Sequence, residues 1–307
     1  MKLGLVVVYL VSEGNEGLLD LHLERIALHT RMPYTIYAAA ERLRPDLRER
    51  LAARREVRVC ALAPTAMRES AEHAHYLERL SEIALDDHAS HVAMLHVDSF
   101  PVRDGWDEAL AASLTPERPF GAAVRDLAVD DKPFTACLFS SAEFLRRWRP
   151  RLLLSDAERR SAAYRRYRRR HPHHPDSGVG FGLLAFRHGL DWVRLERSNR
   201  GEGHGHFGAI HGDLLFHLGA ASWQRKDFPV RREPTAALAL RRRLAAVGRR
   251  LLPRPVREPL KAAVGALAPA LDIERKYDGN EIAFNAVRDR LLADPESYLR
   301  YLREGDG

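Results

Sequence analysis

The sequence predicts an α/β fold: a mostly parallel sheet flanked by helices, with a helical C-terminal extension. Three observations predict it. Short apolar runs alternate with amphipathic stretches from Leu3 to Leu95, in the order strand, helix, strand, helix, strand, helix, strand. Such alternation builds a parallel sheet with right-handed crossovers. The strand runs are apolar almost without a break, as in Leu3-Gly-Leu-Val-Val-Val8 and Val92-Ala-Met-Leu95, which fits strands covered on both faces. From Pro234 onward the text is helical, interrupted by Pro253, Pro255, Pro259 and Pro269.

Leu3 to Val11 reads as the first strand, and Ser12-Glu-Gly-Asn-Glu-Gly17 as a turn-rich loop. Leu19, Leu23, Ile26, Ala27 and Thr30 then carry helical spacing. Pro33 leads into a second strand, Tyr34 to Ala39. Pro45 to Arg55 is a polar amphipathic helix, and Val57 to Leu62 a third strand ended by Pro64. Tyr76, Leu77, Leu80, Ile83 and Ala84 line one face of a helix over 70–84.

The fourth strand begins at His91 and is the element around which the chain is organised. Its apolar run breaks at His96, and Asp98 follows two residues later. On a strand the two side chains point the same way, and Pro101 ends the ladder. The carboxyl end of a buried strand is where open α/β sheets bind ligands. A plain alternative is a capping aspartate beside a satisfied core histidine.

Trp106 to Leu114 reads as a short helix, with Phe120–Val124 and Thr135–Ser140 as further strands. Ser141, with Glu143 behind it, suits a helix start. An arginine-rich segment follows, then a loop over 171–182, a helix over 183–189 and a strand at Trp192–Glu196. Residues 198–208 form a long glycine-rich loop, and 210–223 close the core. Asn280 to Leu302 reads as amphipathic helices on the domain, and no internal repeat is visible. The expected division is 1–115 and 116–233 as two halves of one domain, followed by the extension 234–307.

Composition narrows the classes. At 45% hydrophobic and 8% aromatic residues the chain is globular, which excludes wholesale disorder. Cys60 and Cys137 both lie in apolar surroundings. They read as core residues of a reducing compartment and exclude a disulfide framework or a cysteine zinc site. The apolar N-terminal stretch is too short for a membrane span and has no small-residue cleavage site. The expected location is therefore cytoplasmic. The first strand is not followed by Gly-x-Gly-x-x-Gly, which argues against a dinucleotide-binding oxidoreductase.

The net charge of +7 is unevenly spread. Residues 146–170 hold 11 arginines against Asp156 and Glu158, a local +9; residues 241–261 carry a local +7; the remainder nets −9. An acidic body with two basic segments points to contact with something anionic. Tyr164-Arg-Arg-Tyr-Arg-Arg-Arg170 interleaves aromatic and basic side chains. This fits either a nucleic-acid-binding segment or a solvated loop. Leu240, Leu244, Val247 and Leu251 share helical spacing against a basic face. That suits peripheral contact of 238–261 with an anionic membrane inner face, or a helix packed on the body.

Several side chains carry chemistry. His96 and Asp98 are candidate ligands for a divalent ion, Mn or Mg, that also holds phosphate oxygens. His204, His206, His211, Asp213 and His217 are five further potential ligands within 14 residues. His217 stands apart because it follows Leu214-Leu-Phe216, the end of a buried run. Asp176, in Pro-Asp-Ser-Gly just before a helix, is either an N-cap or a carboxylate base. His73 lies on the helix before the central strand, where an ordinary surface histidine would also stand.

Taken together, these pieces resemble the GT-A-fold glycosyltransferases of the family 2 type. Ser70-Ala-Glu-His73-Ala-His-Tyr-Leu77 is similar to that family's histidine-containing helix. Val92-Ala-Met-Leu-His96-Val-Asp98, followed by Pro101 and Gly105-Trp106, resembles its apolar strand, Asp-x-Asp and Gly-Trp. Val11-Ser-Glu13-Gly-Asn-Glu16 resembles the nucleotide-binding loop, Asp176-Ser-Gly the acceptor-side carboxylate, and Phe216-His217-Leu-Gly-Ala the late histidine metal ligand. The resemblance spans about residues 1–230. It departs at position 96, where a histidine replaces the first acid of Asp-x-Asp.

The resemblance implies a GT-A-like, Rossmann-like sheet and transfer of a sugar from a UDP-, GDP- or dTDP-linked donor to a hydroxyl acceptor, anionic or lipid-linked. It implies Mn or Mg held by Asp98, His217 and His96. Val11, Glu13, His73, His96 and Asp98 would bind the donor, and Asp176 would act as the catalytic base. The alternative function is nucleic-acid binding through 146–170.

Overall fold

The computed structural model describes residues 1–124, 131–202, 204, 207–221, 231–232, 276–277 and 279–305. They belong to two compact units, Met1–Ser222 with Ala286–Gly307, and Trp223–Asn285. In chain order the first unit begins with β1 (Leu3–Val8), α1 (Gly17–His29), β2 (Tyr34–Ala39), α2 (Pro45–Ala52), β3 (Val57–Val59), α3 (Glu69–Asp86) and β4 (His91–Leu95). It continues through β5 (Ser99–Pro101), α4 (Trp106–Ser113), β6 (Phe120–Ala123), β7 (Phe134–Ser141), α5 (Ala142–Trp148), α6 (Asp156–Arg160) and α7 (Ala162–Arg170). Then come α8 (Val179–His188), β8 (Val193–Leu195), β9 (Ala209–His211) and β10 (Leu215–His217). In the second unit, β11 (Arg231–Arg232) pairs antiparallel with β12 (Lys276–Tyr277). The chain ends with α9 (Gly279–Ala293) and α10 (Pro295–Glu304).

The fold is α/β, as predicted. Seven strands form the main sheet in the order β3-β2-β1-β4-β7-β6-β8. β1 pairs parallel with β2 and β4, and β2 with β3. β7 runs antiparallel to β4 and β6, and β6 pairs parallel with β8. The unbroken apolar runs follow from this placement: Leu3, Leu5, Val6 and Val7 of β1 are all 0% exposed in the middle of the sheet, on which α3 packs. Leu77 and Leu80 of α3 lie in one core cluster with Val6, Met94, Leu138 and Phe181. Burying each such leucine contributes about 1.5–3 kcal/mol.

Some sequence expectations change. β4 stops at Leu95, so His96 and Asp98 stand in a turn and not on a strand. Pro101 does not end the pairing at once; it is the last residue of β5, an edge strand of the small sheet β5-β10-β9. An edge tolerates the missing N–H. The arginine-rich segment is no loop. It forms α6, started by a Ser155–Glu158 capping box, and α7, capped by the Ser161 hydroxyl on the Tyr164 N–H. α8 begins at Val179, four residues earlier than the text suggests, because Gly180 and Gly182 are helical here. The amphipathic pattern over 238–252, and the rest of 233–275, lie outside the described residues. Among the described residues no helix is long and apolar enough to cross a membrane.

Candidate functional site

The parallel strands β1 to β4 bring their carboxyl ends to one edge of the sheet, where ligands of open α/β sheets bind. β4 breaks there into a tight turn, in which the Ser99 N–H donates to the His96 carbonyl at 3.0 Å. The turn drops Asp98 into the interior at 3% exposure. It then delivers β5 to β10, and that register sets His217 opposite Ser99. His217 Nε2 therefore stands 3.7 Å from Asp98 Oδ1. The His96 ring lies 5.6 Å from the His217 ring. One ligand atom from each of His96, Asp98 and His217 falls within 4.8 Å of the others. Two imidazoles and a carboxylate converging in this way form a donor set for a divalent transition metal. Phe134 walls it, with its ring 5.2 Å from His217 and 5.6 Å from His96.

Asp98 is held by backbone. The Ala221 N–H donates to its Oδ2 at 3.2 Å, and the Leu218 N–H to its carbonyl at 2.9 Å. Burial pushes the carboxyl up to about 6, opposed by N–H donors from Ala221, Asp98 itself and Gly219. The same residue reaches the loop after β1: the Ala221 carbonyl accepts from Ser12 Oγ and Asn15 Nδ2, both at 2.9 Å. One residue thus ties the first loop to Asp98. Asn15 is buried and in turn accepts from Arg288 Nη1 at 3.0 Å. Val11 is half-buried and Glu13 exposed on this loop. Ala220, a non-glycine residue at φ +67°, marks the bend that presents Ala221. Such backbone costs about 1–2 kcal/mol and persists where the surroundings over-determine it.

A hydrogen-bond relay leads away from His96. Its Nε2 lies 3.3 Å from Thr135 Oγ1, which lies 3.1 Å from Ser177 Oγ. Ser177 follows Asp176, whose Oδ1 accepts the Ser177 N–H at 2.7 Å. Asp176 is not the N-cap of α8; Gly178 is. His73 of α3 packs edge-on against His96 at 5.0 Å. Burial lowers its pKa to about 4, and the nearby Asp176 charge opposes that shift, so His73 is a neutral ring next to both. Lys132 is buried and donates to the Ser177 carbonyl at 3.1 Å.

The turn 176–178 is pressed against the chain before β7. Gly178 has φ +92°, and a Cβ there would sit 2.0 Å from the Pro133 carbonyl oxygen. Gly178→Ala is therefore expected to cost about 3 kcal/mol or more, read as a fall of roughly 6–10 °C in the thermal midpoint.

The remaining sequence candidates divide. His204 stacks on Phe207 at 4.9 Å, His211 is buried on β9, and Asp213 is engaged by Arg200 through both oxygens. Among the described residues none of the three joins the cluster of His96, Asp98 and His217. His206 lies outside the described residues. Ser12, Asn15, Lys132, Thr135 and Ser177 escape sequence reasoning. Ser12 and Asn15 stand in a loop that is visibly turn-rich. Lys132 and Thr135 carry only the weak signal of polar residues at the mouth of a buried strand.

No protein-family model and no curated protein matches the chain. Solved structures do. One is a Drosophila β-1,4-galactosyltransferase 7 mutant in complex with manganese, UDP-Gal and xylobiose, at 13% identity and a TM-score of 0.36, covering 63% of this chain and 64% of that one. Another is the galactosyltransferase LgtC with donor and acceptor sugar analogs, at 13% identity and a TM-score of 0.35, covering 60% and 70%. A third is a glycosyltransferase involved in glycosylation of the major capsid of PBCV-1, at 9% identity and a TM-score of 0.30, covering 48% and 63%. The chain thus spans less than two thirds of the first of these, and no residue role is carried over from any of them.

Proposed function

We propose that the protein is a metal-dependent glycosyltransferase that moves a sugar from a nucleotide-sugar donor to a hydroxyl acceptor. The observation that carries this reading is the convergence of His96, Asp98 and His217 at the carboxyl edge of the sheet, linked through Thr135 and Ser177 to the Asp176 turn. Two imidazoles with one carboxylate suit Mn better than Mg, which prefers an all-oxygen shell. Bound there, the ion would neutralise the charge that develops on a leaving nucleoside diphosphate. The residues of the chain do the rest. Asp98 supplies the anionic ligand, and His217 and His96 the neutral ones. The loop bearing Val11 and Glu13 faces the same edge as the donor-binding element, and His73 packs beneath His96. Asp176 takes the proton of the acceptor hydroxyl at its carboxylate. The reading extends to UDP-, GDP- or dTDP-linked donors, to an anionic or lipid-linked acceptor, and to a cytoplasmic enzyme in peripheral contact with the membrane through 238–261.

The test is a thermal-shift panel of UDP-, GDP- and dTDP-sugars with and without Mn. One nucleotide class is expected to raise the midpoint, and more so with Mn. A ligand at about 100 times its Kd stabilises by about 2.7 kcal/mol. A flat panel in both arms overturns the proposal.

A further inference from the structure

The arginine segment has a shape that the sequence leaves open. α7 is anchored by one side. Tyr164 and Tyr167 are 5% and 3% exposed and pack with Leu154, Val179 and Leu183. α8 lies so near that a Cβ on Gly182 would be 2.0 Å from Tyr167 Oη. The Tyr164 hydroxyl meets His173 Nε2 at 3.2 Å. Every arginine of α7 is exposed, as are Arg159 and Arg160 of α6.

Among the described residues these seven guanidiniums have no acidic partner. Arg159 donates to the Leu154 carbonyl and Arg165 to the Arg160 carbonyl, but none of the seven forms an ion pair among the described residues. Glu158, the near acid, is engaged by Ser155 and by Arg187 at 3.7 Å. Arg165–Arg168, Arg165–Arg169, Arg166–Arg169 and Arg166–Arg170 are like-charge pairs at helical contact spacing, each destabilising by about 0.2–0.5 kcal/mol. Arg168 to Arg170 gain from the helix C-terminus, but that does not account for Arg159, Arg160, Arg165 and Arg166. The charge works against the helix that carries it, so its reason lies outside this fold.

We infer that the arginine face of α6 and α7 is a docking surface for the anionic phospholipid headgroups of a membrane. Two observations favour a membrane over nucleic acid. The interleaved tyrosines are buried, so the face offers no aromatic platform on which bases stack. Outside the two basic segments the chain nets −9. A long polyanion wrapping the body would be repelled there, whereas a planar surface touches one face only. The face carries no exposed aromatic or large aliphatic side chain on α7, so attachment is electrostatic and not by insertion. α7 runs within six residues to Asp176. On the sugar-transfer reading, and resting on it, docking would bring the acceptor side close to the headgroups.

The test is cosedimentation of the full chain with vesicles of phosphatidylcholine alone and of phosphatidylcholine with phosphatidylglycerol. No nucleotide sugar is present, so this test and the sugar-transfer reading fail separately. Binding is expected to the anionic vesicles alone and to weaken as salt rises. Each basic residue near an anionic surface is worth about 1 kcal/mol. The combined variant Arg165→Gln, Arg166→Gln, Arg168→Gln and Arg169→Gln should therefore lose at least about a hundredfold in partitioning, with its thermal midpoint unchanged or slightly raised. Equal binding to both vesicles, wild-type partitioning by the variant, or tighter binding to a duplex or single-stranded oligonucleotide at the same salt overturns the inference.

Discussion

On the proposed function, Asp98→Ala is expected to abolish manganese binding, with titration calorimetry as the measurement, and nucleotide-sugar turnover with it. Asp98 is the sole carboxylate of the His96–Asp98–His217 cluster, and two neutral imidazoles alone hold a divalent ion weakly. Its position sharpens the expectation. The carboxyl is buried and its pKa is pushed up to about 6. Protons would therefore compete with a bound metal, and manganese affinity is expected to fall about tenfold per pH unit below that value. The same shift makes a statement about stability. A folded-state pKa above the ordinary 3.8 gives stability that is present at low pH and lost as pH rises through about 6. At pH 8 the ionised, metal-free carboxylate costs up to about 3 kcal/mol. Asp98→Asn should therefore raise the thermal midpoint of the metal-free protein at pH 8 and change little below about pH 4, while losing manganese. The gain stays under the full figure because an amide loses one acceptor facing the backbone N–H groups. Unchanged manganese affinity in either variant would remove Asp98 from the site.

Asp176→Asn is expected to lower kcat by about 10²- to 10⁴-fold, the range of a lost general base. Manganese affinity and donor binding should change far less, because Asp176 is not one of the three clustered side chains and is linked to His96 through Ser177 and Thr135. The carboxylate and amide have the same shape, and the Ser177 N–H keeps its acceptor if the amide oxygen takes the place of Oδ1. The thermal midpoint is therefore a control that should not move. A variant with full turnover shows that another group takes the proton. A variant that also loses donor binding shows a role in placing the sugar.

The four strands β1 to β4 and their helices were legible because each alternates cleanly between an unbroken apolar run and a one-faced helix, two patterns set by local periodicity. Asp98 was legible for a related reason: a carboxylate at the abrupt end of an apolar run has few structural uses. The sequence equally predicted that His217 ends a buried element, which β10 bears out. Reading His96 and Asp98 as strand neighbours was wrong in form, since they share a turn. Of the other candidates after 203, His204, His211 and Asp213 are not in the cluster with His217, and the alternating glycines carry no information about where each side chain points.

What the sequence by itself determined is the class of fold and the place of Asp98 just past the carboxyl end of β4. Those follow from interactions within about twenty residues. Only the tertiary structure decided that β7 runs antiparallel, that β10 pairs with β5 to bring His217 to Asp98, and that Ala221 joins Asp98 to Ser12 and Asn15 through its N–H and its carbonyl. Only it showed that the tyrosines of α7 face inward and the arginines outward. Each of these contacts joins segments far apart in the chain or depends on which face of an element is covered. Strand order, register and burial are settled by packing the whole core, and no local pattern records them.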